Sequence, residues 1–592
     1  MKYCGVDYYP EQWGLDLLDQ DMKDMKELGV NLIRIADFAW DVIEPEDGKY
    51  SFEFFDEVIK RMKAEGFKIM FSVPTATMPS WLYVKHPDIM NVDENGYRQP
   101  YGGRRGYCVN NDYYIEKGRA LAHEIAKHYK DEDAIVAIQI DNEICDEGSD
   151  LCFCDSCKDK FHTYLKNKYQ NIDELNKRWG TCFWTQTYHN FDDIPLPKKA
   201  FVAHNPSLKQ EYYRFRAVST TEYLKGLYDA VKEECDIPVT HDFEGGTFNK
   251  FFDPYEISRN LDFVSYNNYP VWGGQTEPLP DSTLAFNVEF ARSFKKKPIW
   301  ITESIMGAQG HNDIGCAPKP GEAKKWAIDS LKHGVESLIF FRYRGFTKGA
   351  EQYCYGIIDS DNEKRRKYYE TKSFFEEYKD KETIIPESKV CLVYDYDSKC
   401  SMNVQRQSNN FDYKSECLKM YEQFFKRDIS VDIVNSKDRF EDYKMVLLPY
   451  MIIMSDEYKQ RLKEYVKNGG TVIMSPRTAW KDLDNNLVFG KRIPVDLTDL
   501  TGVKLEEHEA LNDDTYYEVN LNGKTGKARV FVEMMNTTSA KRHGEYVNNP
   551  FGDFGVVFEN ECDKGKCYYL SSSLDETLMD ETFDMILNKS NL

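Results

Sequence analysis

The sequence lacks an apolar run that is long enough to cross a membrane. A membrane-spanning helix needs about 20 consecutive, mostly apolar residues, and the longest candidate here, Met445 to Met454, is interrupted by Pro449. The N-terminus also lacks the apolar region of a signal peptide. The sequence therefore predicts a protein with no membrane partner and no signal for export.

Positive charge is scarce as well. The chain has 77 lysine and arginine residues against 99 aspartate and glutamate residues, which gives a net charge of −22. Such a chain repels phosphate backbones, and no long basic patch offsets the repulsion, so we expect no nucleic-acid partner. A phosphate-binding loop is missing too, because Gly102-Gly103 lacks the spacing and the helix that such a loop requires.

Cysteine is too rare for a disulfide-stabilised scaffold. The chain has 15 cysteines among 592 residues, and the number is odd. Disulfide-rich proteins are short and cysteine-dense, whereas reduced thiols are typical of the cytosol. We therefore predict a cytoplasmic protein with reduced cysteines.

The chain has enough apolar residues to form a large hydrophobic core. Apolar residues make up 41% of it and aromatic residues 14%. Its length would suggest about four domains, but a single barrel can absorb about 250 residues or more, so two or three domains are the better expectation.

Short apolar runs alternate with helical patterns through the first 380 residues. Ile135–Ile140 is apolar almost throughout, as in a strand that is buried on both faces. Phe54–Ala64 places Phe54, Val58, Ile59 and Met62 on one helical face. The eight predicted strands are Tyr3–Tyr9, Asn31–Phe38, Lys68–Val73, Ala134–Glu143, Pro238–Phe243, Asp262–Asn267, Pro298–Glu303 and Ser337–Tyr343. Eight such units predict an α/β fold, a (β/α)8 TIM barrel, in preference to a doubly wound open sheet.

The rest of the chain predicts a second α/β domain. We place the barrel at residues 1–380, with an insertion at about 145–206 that should lie at the barrel's C-terminal face, where active sites form. Residues 388–592 alternate strands and helices like a small open parallel sheet. Residues 515–570 are β-rich, with a turn at Asn522-Gly523.

Two of the predicted barrel strands end in glutamates. Glu143 follows the fourth strand, after Asn142, and Glu303 ends the seventh. A retaining glycosidase needs two carboxyl groups about 5–5.5 Å apart, one to protonate the leaving oxygen and one to attack the anomeric carbon. One glutamate at a strand end is common, but two at the same rim indicate this chemistry, and Asn142 could bond the sugar 2-hydroxyl.

Six motifs are distinctive in this chain. They are Asp7-Tyr8-Tyr9-Pro10-Glu11-Gln12-Trp13, Arg104-Arg105-Gly106-Tyr107-Cys108, Gln139-Ile140-Asp141-Asn142-Glu143, Trp179-Gly180-Thr181-Cys182-Phe183-Trp184, Thr302-Glu303-Ser304 and Gly349-Ala350-Glu351-Gln352. Together they resemble the motifs of glycoside hydrolase family 42, the β-galactosidases. The resemblance runs from Gly5 to about Phe374 and continues into the second α/β region.

The resemblance implies a retaining exo-β-galactosidase that acts on small oligosaccharides without a cofactor for the chemistry. It makes Glu143 the acid/base and Glu303 the nucleophile. It implies that six residues hold or line the sugar site: Arg104, Asn142, Trp184, Tyr269, Phe341 and Glu351. It also implies that the second domain is flavodoxin-like and that the chain assembles as a homotrimer.

The sequence departs from the family pattern at two expected pocket positions. Cys354 stands where the family commonly has histidine, and His311 lies where a pocket tryptophan is expected. These departures keep other activities open: an α-L-arabinopyranosidase, a β-D-fucosidase, or a sugar-binding pseudoenzyme. The presence of both glutamates argues against the pseudoenzyme.

Three cysteines lie within six residues. Cys152, Cys154 and Cys157 could wrap a tetrahedral zinc ion that needs one further ligand. The resemblance implies that Cys108 supplies it, which closes the site and makes it structural. Free reduced cysteines are the simpler alternative, and a redox or iron–sulfur centre is the less favoured one.

A few other side chains follow predicted barrel strands. His241 ends the fifth strand and could face the pocket, although such a histidine more often bonds neighbouring protein groups. Asp37, Trp40 and Trp81 could line the sugar site or only pack the rim.

Overall fold

A computed structural model describes residues 1–590 and residue 592. By its internal contacts the chain divides into two units, Met1–Thr163 with Phe215–Pro386, and Tyr164–Arg214 with Glu387–Leu592. Among the described residues, no helix is both long and apolar enough to span a membrane.

The first unit is built on a parallel sheet that is almost closed into a barrel. Its strands are β1 (Tyr3–Asp7), β2 (Leu32–Ile35), β3 (Lys68–Val73), β4 (Ile135–Ile140), β5 (Val239–Thr240), β6 (Asp242–Phe243), β7 (Ser265–Asn267), β8 (Ile299–Ile305) and β9 (Val335–Phe341). They pair in the order β5-β4-β3-β2-β1-β9-β8-β7-β6. Only His241 separates β5 from β6, so the two are halves of the fifth predicted strand, and the predicted TIM barrel is confirmed.

Helices follow most of the barrel strands. In chain order to residue 378 they are α1 (Pro10–Trp13), α2 (Leu18–Leu28), α3 (Trp40–Ile43), α4 (Glu53–Ala64), α5 (Ser80–Lys85), α6 (Asp112–Tyr129), α7 (Asp155–Tyr169), α8 (Ile172–Trp179), α9 (Pro206–Lys232), α10 (Pro254–Arg259), α11 (Asp281–Ser293), α12 (Glu322–Lys332) and α13 (Arg366–Tyr378). Helix α4 buries Val58, Ile59 and Met62 as its periodicity predicts, with Phe55 rather than Phe54 as the aromatic core residue.

The second unit contains a mixed sheet. Its strands are β10 (Val390–Tyr394), β11 (Val431–Asn435), β12 (Met445–Leu448), β13 (Thr471–Met474), β14 (Val503–Ala510), β15 (Tyr517–Leu521), β16 (Lys524–Thr537), β17 (Lys541–Tyr546), β18 (Gly555–Cys562), β19 (Gly565–Leu570) and β20 (Ser572–Leu574). Its helices outside the 164–214 segment are α14 (Tyr396–Val404), α15 (Tyr413–Phe425), α16 (Asp456–Lys467), α17 (Thr498–Thr501) and α18 (Glu576–Leu587).

The parallel half of this sheet has the strand order of flavodoxin. Strands β11, β10, β12, β13 and β19 lie side by side and are parallel, which is the 2-1-3-4-5 order of that fold. Strand β19 continues into an antiparallel region, β18-β17-β15-β16-β14. The Asn522-Gly523 turn joins β15 to β16, and both residues have positive φ, at 52° and 82°, as a tight two-residue hairpin requires.

Charged pairs hold the 164–214 segment within the second unit. Arg178 donates two hydrogen bonds, of 2.8 and 2.7 Å, to the Asp484 carboxylate. Arg214 does the same to Asp397, at 2.8 and 2.9 Å. Paired guanidinium–carboxylate contacts fix geometry as well as distance, so this part of the chain has a defined place in the second unit.

Candidate active site

Glu143 and Glu303 lie at the carboxyl ends of two barrel strands. Glu143 follows β4 by three residues, and Glu303 lies in β8 beside Asn267 of β7, its register partner. Because all the strands are parallel, their carboxyl ends meet at one rim. Both side chains are largely buried, with 7% and 5% of their surface exposed.

Arg34 of β2 forms the centre of this rim. Its guanidinium is fully buried and lies against four carboxylates. The nitrogen–oxygen distances are 3.1 Å to Asp7, 3.0 Å to Asp37, 3.1 Å to Asp242 and 2.8 Å to Glu303. Asp7 and Arg34 are register partners on adjacent strands, which explains why they meet.

A short chain of hydrogen bonds links Arg34 to Glu143. Arg34 donates to Asp242 Oδ2, and the same oxygen accepts from Asn267 Nδ2 at 3.1 Å. Asn267 Nδ2 also donates to Glu143 Oε1 at 2.9 Å. The Thr302 hydroxyl donates to Asn267 Oδ1 at 2.9 Å and so orients the amide. The two glutamates are therefore held by one connected polar network.

The two carboxyl groups have different partners. Glu303 accepts hydrogen bonds from Arg34 and from the Tyr269 hydroxyl. Burial raises the pKa of Glu143, and the charge of Glu303 raises it further, against the opposing charges of Arg105 and Arg104. The two carboxyl groups therefore have unequal surroundings.

The backbone after β4 is strained. Asp141, Glu143, Cys145 and Glu147 all have positive φ, between 45° and 66°. Non-glycine residues rarely adopt this conformation, and when they do they cluster at functional sites. The Arg105 side chain supports the segment because it donates to the Asn142 carbonyl at 3.1 Å and to the Glu143 carboxylate.

Glu351 and Arg104 meet beside the two glutamates. Arg104 donates to Glu351 at 3.3 Å and to Glu147 at 3.0 Å. Burial would raise the pKa of Glu351, but the His311 imidazole and the charges of Arg104 and Arg342 lower it to about 2. The lowered pKa favours the carboxylate form of Glu351 at neutral pH, which suits an acceptor of sugar hydroxyls.

An aromatic wall completes the rim. Tyr9, Phe341 and Cys354 form one buried cluster, against which Phe38, Tyr269 and Trp272 pack. The Cys354 thiol lies 3.8 Å from the Gly310 carbonyl, and the charged groups of Glu351, Arg342 and Arg104 are also close enough to act on it. The Trp272 ring is 5.3 Å from the His311 ring and 5.2 Å from the Tyr269 ring.

Several buried polar atoms at this rim have no hydrogen-bond partner among the described residues. The Asn142 amide nitrogen Nδ2 and the Tyr9 hydroxyl are two of them. Asn142 Oδ1 accepts from Arg34 at 2.8 Å, which leaves Nδ2 to donate elsewhere. Buried polar groups normally have partners, so these two atoms are suited to a ligand with hydroxyl groups.

The remaining predicted residues have other surroundings. Trp184 belongs to the second unit, is 63% exposed, and lies against Phe183 with ring centres 4.7 Å apart. The His241 ring nitrogens contact the Ile140 carbonyl and the Ile144 amide, so the protein backbone occupies both. Trp40 and Trp81 donate to the side chain and the carbonyl of Glu44.

The four predicted metal-binding cysteines come together. The sulfur atoms of Cys108, Cys152, Cys154 and Cys157 all lie within 4.8 Å of one another, and all four residues are buried. Cys108 Sγ is 3.4 Å from Cys157 Sγ and 3.5 Å from Cys154 Sγ. Backbone amides also donate to the sulfurs, Val92 to Cys152 and Asn110 to Cys108, each at 3.4 Å. Such a cluster can hold a metal ion.

Sequence reasoning missed the residues that connect the site: Asp7, Arg34, Arg105, Asp242 and Asn267. A signal was present for some of them, because Arg34 interrupts the apolar run Leu32-Ile33-Arg34-Ile35 of a buried strand. A charge in such a strand is rarely buried without partners, which marks it as part of a site.

Comparisons with known proteins agree with this geometry. The profile of the glycoside hydrolase 42 β-galactosidases matches residues 7–381, and that of the β-galactosidase trimerisation domain matches residues 388–592. The β-galactosidase BgaA of Clostridium cellulovorans is 31% identical over 99% of this chain and 89% of its own length.

Solved structures of β-galactosidases are also similar to this chain. A β-galactosidase of the haloarchaeon Halorubrum lacusprofundi superposes with a TM-score of 0.95 at 30% identity, covering 100% of this chain and 90% of the other. A β-galactosidase of Bacillus circulans sp. alkalophilus superposes with a TM-score of 0.93 at 25% identity, covering 99% and 88%. The chain therefore belongs to glycoside hydrolase family 42, the β-galactosidases.

Proposed function

We propose that this protein is a retaining exo-β-galactosidase in which Glu143 is the acid/base and Glu303 is the nucleophile. The observation that carries the proposal is the asymmetry of the pair. Glu303 accepts from a buried guanidinium and a phenol, whereas burial and the nearby charge of Glu303 raise the pKa of Glu143. Double displacement requires one ionised carboxyl group as the nucleophile and one protonated carboxyl group as the acid, and these unequal surroundings suit that requirement.

In the first step a Glu303 oxygen attacks the anomeric carbon of the galactosyl group. The bond from that carbon to the leaving oxygen breaks, and Glu143 gives its proton to that oxygen. The product is a galactosyl ester of Glu303. Arg34 and Tyr269 orient the attacking carboxylate, and Tyr269 can keep its proton throughout, since burial raises the pKa of its phenol.

In the second step Glu143, now ionised, takes a proton from water. The hydroxide attacks the anomeric carbon and releases galactose, and Glu303 is regenerated as a carboxylate. Two inversions at one carbon retain the β configuration.

We also propose which residues contact the sugar. Arg104, Asn142 and Glu351 present polar atoms at the rim, and Tyr269 and Phe341 supply part of its aromatic wall. An aromatic face suits the apolar side of galactose. Trp184 as a sugar contact stays a prediction from the resemblance.

Hydrolysis of a panel of p-nitrophenyl glycosides tests the substrate. We expect kcat/KM for the β-D-galactoside to exceed that for the β-D-glucoside by at least about 100-fold, because a site that hydrogen-bonds a hydroxyl strongly rejects a misplaced one. A folded protein that cleaves no member of the panel would contradict the proposal.

A glycone without the 6-hydroxyl is the second candidate. Cys354 favours it, because this less polar side chain stands at a position where family members commonly have histidine and packs with Tyr9 and Phe341. If the panel gives a higher kcat/KM for the α-L-arabinopyranoside or the β-D-fucoside than for the β-D-galactoside, the enzyme is an α-L-arabinopyranosidase or a β-D-fucosidase.

The two glutamates should respond differently to substitution. Glu303→Gln should lower kcat by at least about 10⁴-fold on every substrate, because no covalent intermediate can form. Glu143→Gln should slow alkyl galactosides by about 10²–10⁴-fold but dinitrophenyl galactosides far less in the first step, because a good leaving group needs no proton. Pre-steady-state release of the phenol measures that step. Equal losses in this step on both substrates would reject the role of Glu143.

We further propose that the cysteine cluster holds a structural zinc ion. Cys108, Cys152, Cys154 and Cys157 would supply all four ligands of the ion, which would leave no position for substrate. The close approach of the sulfur atoms and the backbone amides that donate to them fit this ion. Four reduced thiols also support a cytoplasmic location.

Metal analysis tests this assignment. Elemental analysis of the protein as purified should give about one zinc per chain, and Cys154→Ser should lower the zinc content and the thermal midpoint of unfolding. Visible absorbance with bound iron would instead indicate an iron–sulfur centre. If all four cluster thiols react with a thiol reagent and no metal is found, the cysteines are free.

The oligomer is proposed to be a homotrimer. The match of residues 388–592 to a trimerisation domain supports it. Light scattering after size-exclusion chromatography should give three times the chain mass of 69.3 kDa, and a mass equal to one or two chains would contradict it.

A further inference from the structure

The turn after β4 carries Glu143, and side chains bind three of its backbone amides. In chain order, Asn142 donates to Asp141 Oδ1 at 2.8 Å, Glu143 to Asp242 Oδ1 at 3.1 Å, and Ile144 to His241 Nε2 at 3.3 Å. In helices and sheets, backbone carbonyls accept from such groups. The shape of this turn depends instead on the side chains that accept from it.

His241 contacts the turn at both of its ends. Its Nδ1 lies 2.8 Å from the carbonyl oxygen of Ile140, the last residue of β4, and its Nε2 accepts from the Ile144 amide. The residue is fully buried and lies between β5 and β6, the two ends of the barrel's strand order. The imidazole therefore fixes the distance across the turn that holds Asn142 and Glu143.

These two contacts require one protonation state of the imidazole. A carbonyl oxygen only accepts, so Nδ1 must carry a proton, and Nε2 must lack one in order to accept from the Ile144 amide. Burial lowers the pKa of His241, against the opposing charges of Asp141 and Glu143, and a lowered pKa favours the neutral ring. Since the backbone uses both ring nitrogens, neither is left for substrate.

The turn needs support because its backbone is strained. Asp141, Glu143 and Cys145 have φ of 57°, 45° and 66°. Non-glycine residues rarely adopt this region, and they persist there only where the surrounding structure enforces it. Without the two imidazole contacts, a shift of the turn would release part of the strain and move the Glu143 carboxyl group. Glu303 lies on β8 and is not part of this turn.

We propose that His241 is a positioning residue for Glu143, whose neutral imidazole, protonated at Nδ1, holds the turn in the shape that acid catalysis requires. This inference rests on the proposed role of Glu143 as the acid/base. Loss of the imidazole should therefore impair proton transfer to the leaving oxygen more than attack by Glu303.

His241→Leu tests this role, because leucine is of similar size and makes neither contact. We expect kcat/KM for alkyl galactosides to fall by about 10–100-fold, since a misplacement of about 1 Å can cost about 100-fold. For dinitrophenyl galactosides it should fall by less than about threefold, because a good leaving group needs no proton. For both substrates kcat/KM covers the steps up to transfer of the galactosyl group to Glu303.

Ser265→Ala is the matched control. The buried Ser265 hydroxyl donates to the His241 carbonyl at 3.0 Å, so this variant also loses a buried hydrogen bond at His241 but keeps both imidazole contacts. It should change kcat/KM by less than about twofold on either substrate. His241→Gln, whose amide can both donate and accept, should retain more activity on alkyl galactosides than His241→Leu.

Proton positions in the unsubstituted enzyme give a test that needs no variant. Neutron diffraction near neutral pH should show a proton on His241 Nδ1 and none on Nε2. A charged ring, or a proton on Nε2 alone, would overturn the proposal, as would equal losses on the two kinds of galactoside in His241→Leu. Failure of the proposed function would differ, because the unsubstituted enzyme would then hydrolyse neither galactoside, or Glu143→Gln would slow both equally.

Discussion

The active-site rim depends on one buried cation. Arg34 lies in the middle of a barrel strand with no exposed surface, and four carboxylates surround it. A buried charge is costly unless it is paired and hydrogen-bonded. Arg34 and the four carboxylates therefore stabilise one another, and loss of one partner would leave buried charge unpaired. The same group donates to Glu303 and to Asn142, which ties the proposed nucleophile to the residue before the proposed acid.

The other polar contacts of the site depend on the hydrogen bonds made by the carboxylates around Arg34. Asp242 contacts the Arg34 guanidinium and also accepts from Asn267 and from the Glu143 amide. Burial and the charge of Glu303 raise the pKa of Glu143 against the opposing charges of Arg105 and Arg104. A single network thus gives two chemically identical side chains different surroundings. The strained backbone after β4 is one further cost of holding them in place.

The cysteine cluster and the Glu143 side of the site are close in the chain. Arg104 and Arg105 precede Cys108, and Glu143 and Glu147 precede Cys152. A metal bound at the cluster would therefore stabilise the segments that carry Glu143, Arg104 and Arg105.

Much of this was determined by the sequence itself. Apolar runs at helix-separated intervals predicted the barrel, and the order of residues 388–592 predicted the parallel half of the second sheet. The strand ends predicted that Glu143 and Glu303 would lie at one rim, and the cysteine spacing predicted that Cys152, Cys154 and Cys157 would lie together. These patterns involve residues that are close in the chain, so they can be recognised from the sequence alone. The ion pairs of Arg34, the hydrogen bonds from Asn267 to Asp242 and Glu143, and the pairing of the β-rich region with β19 could not be predicted in this way. The contacts of Arg34 and Asn267 join residues far apart in the chain, whose distances, burial and charges exist only once the strands have closed into a barrel. The β-rich region joins the second sheet only because β19 pairs with β13.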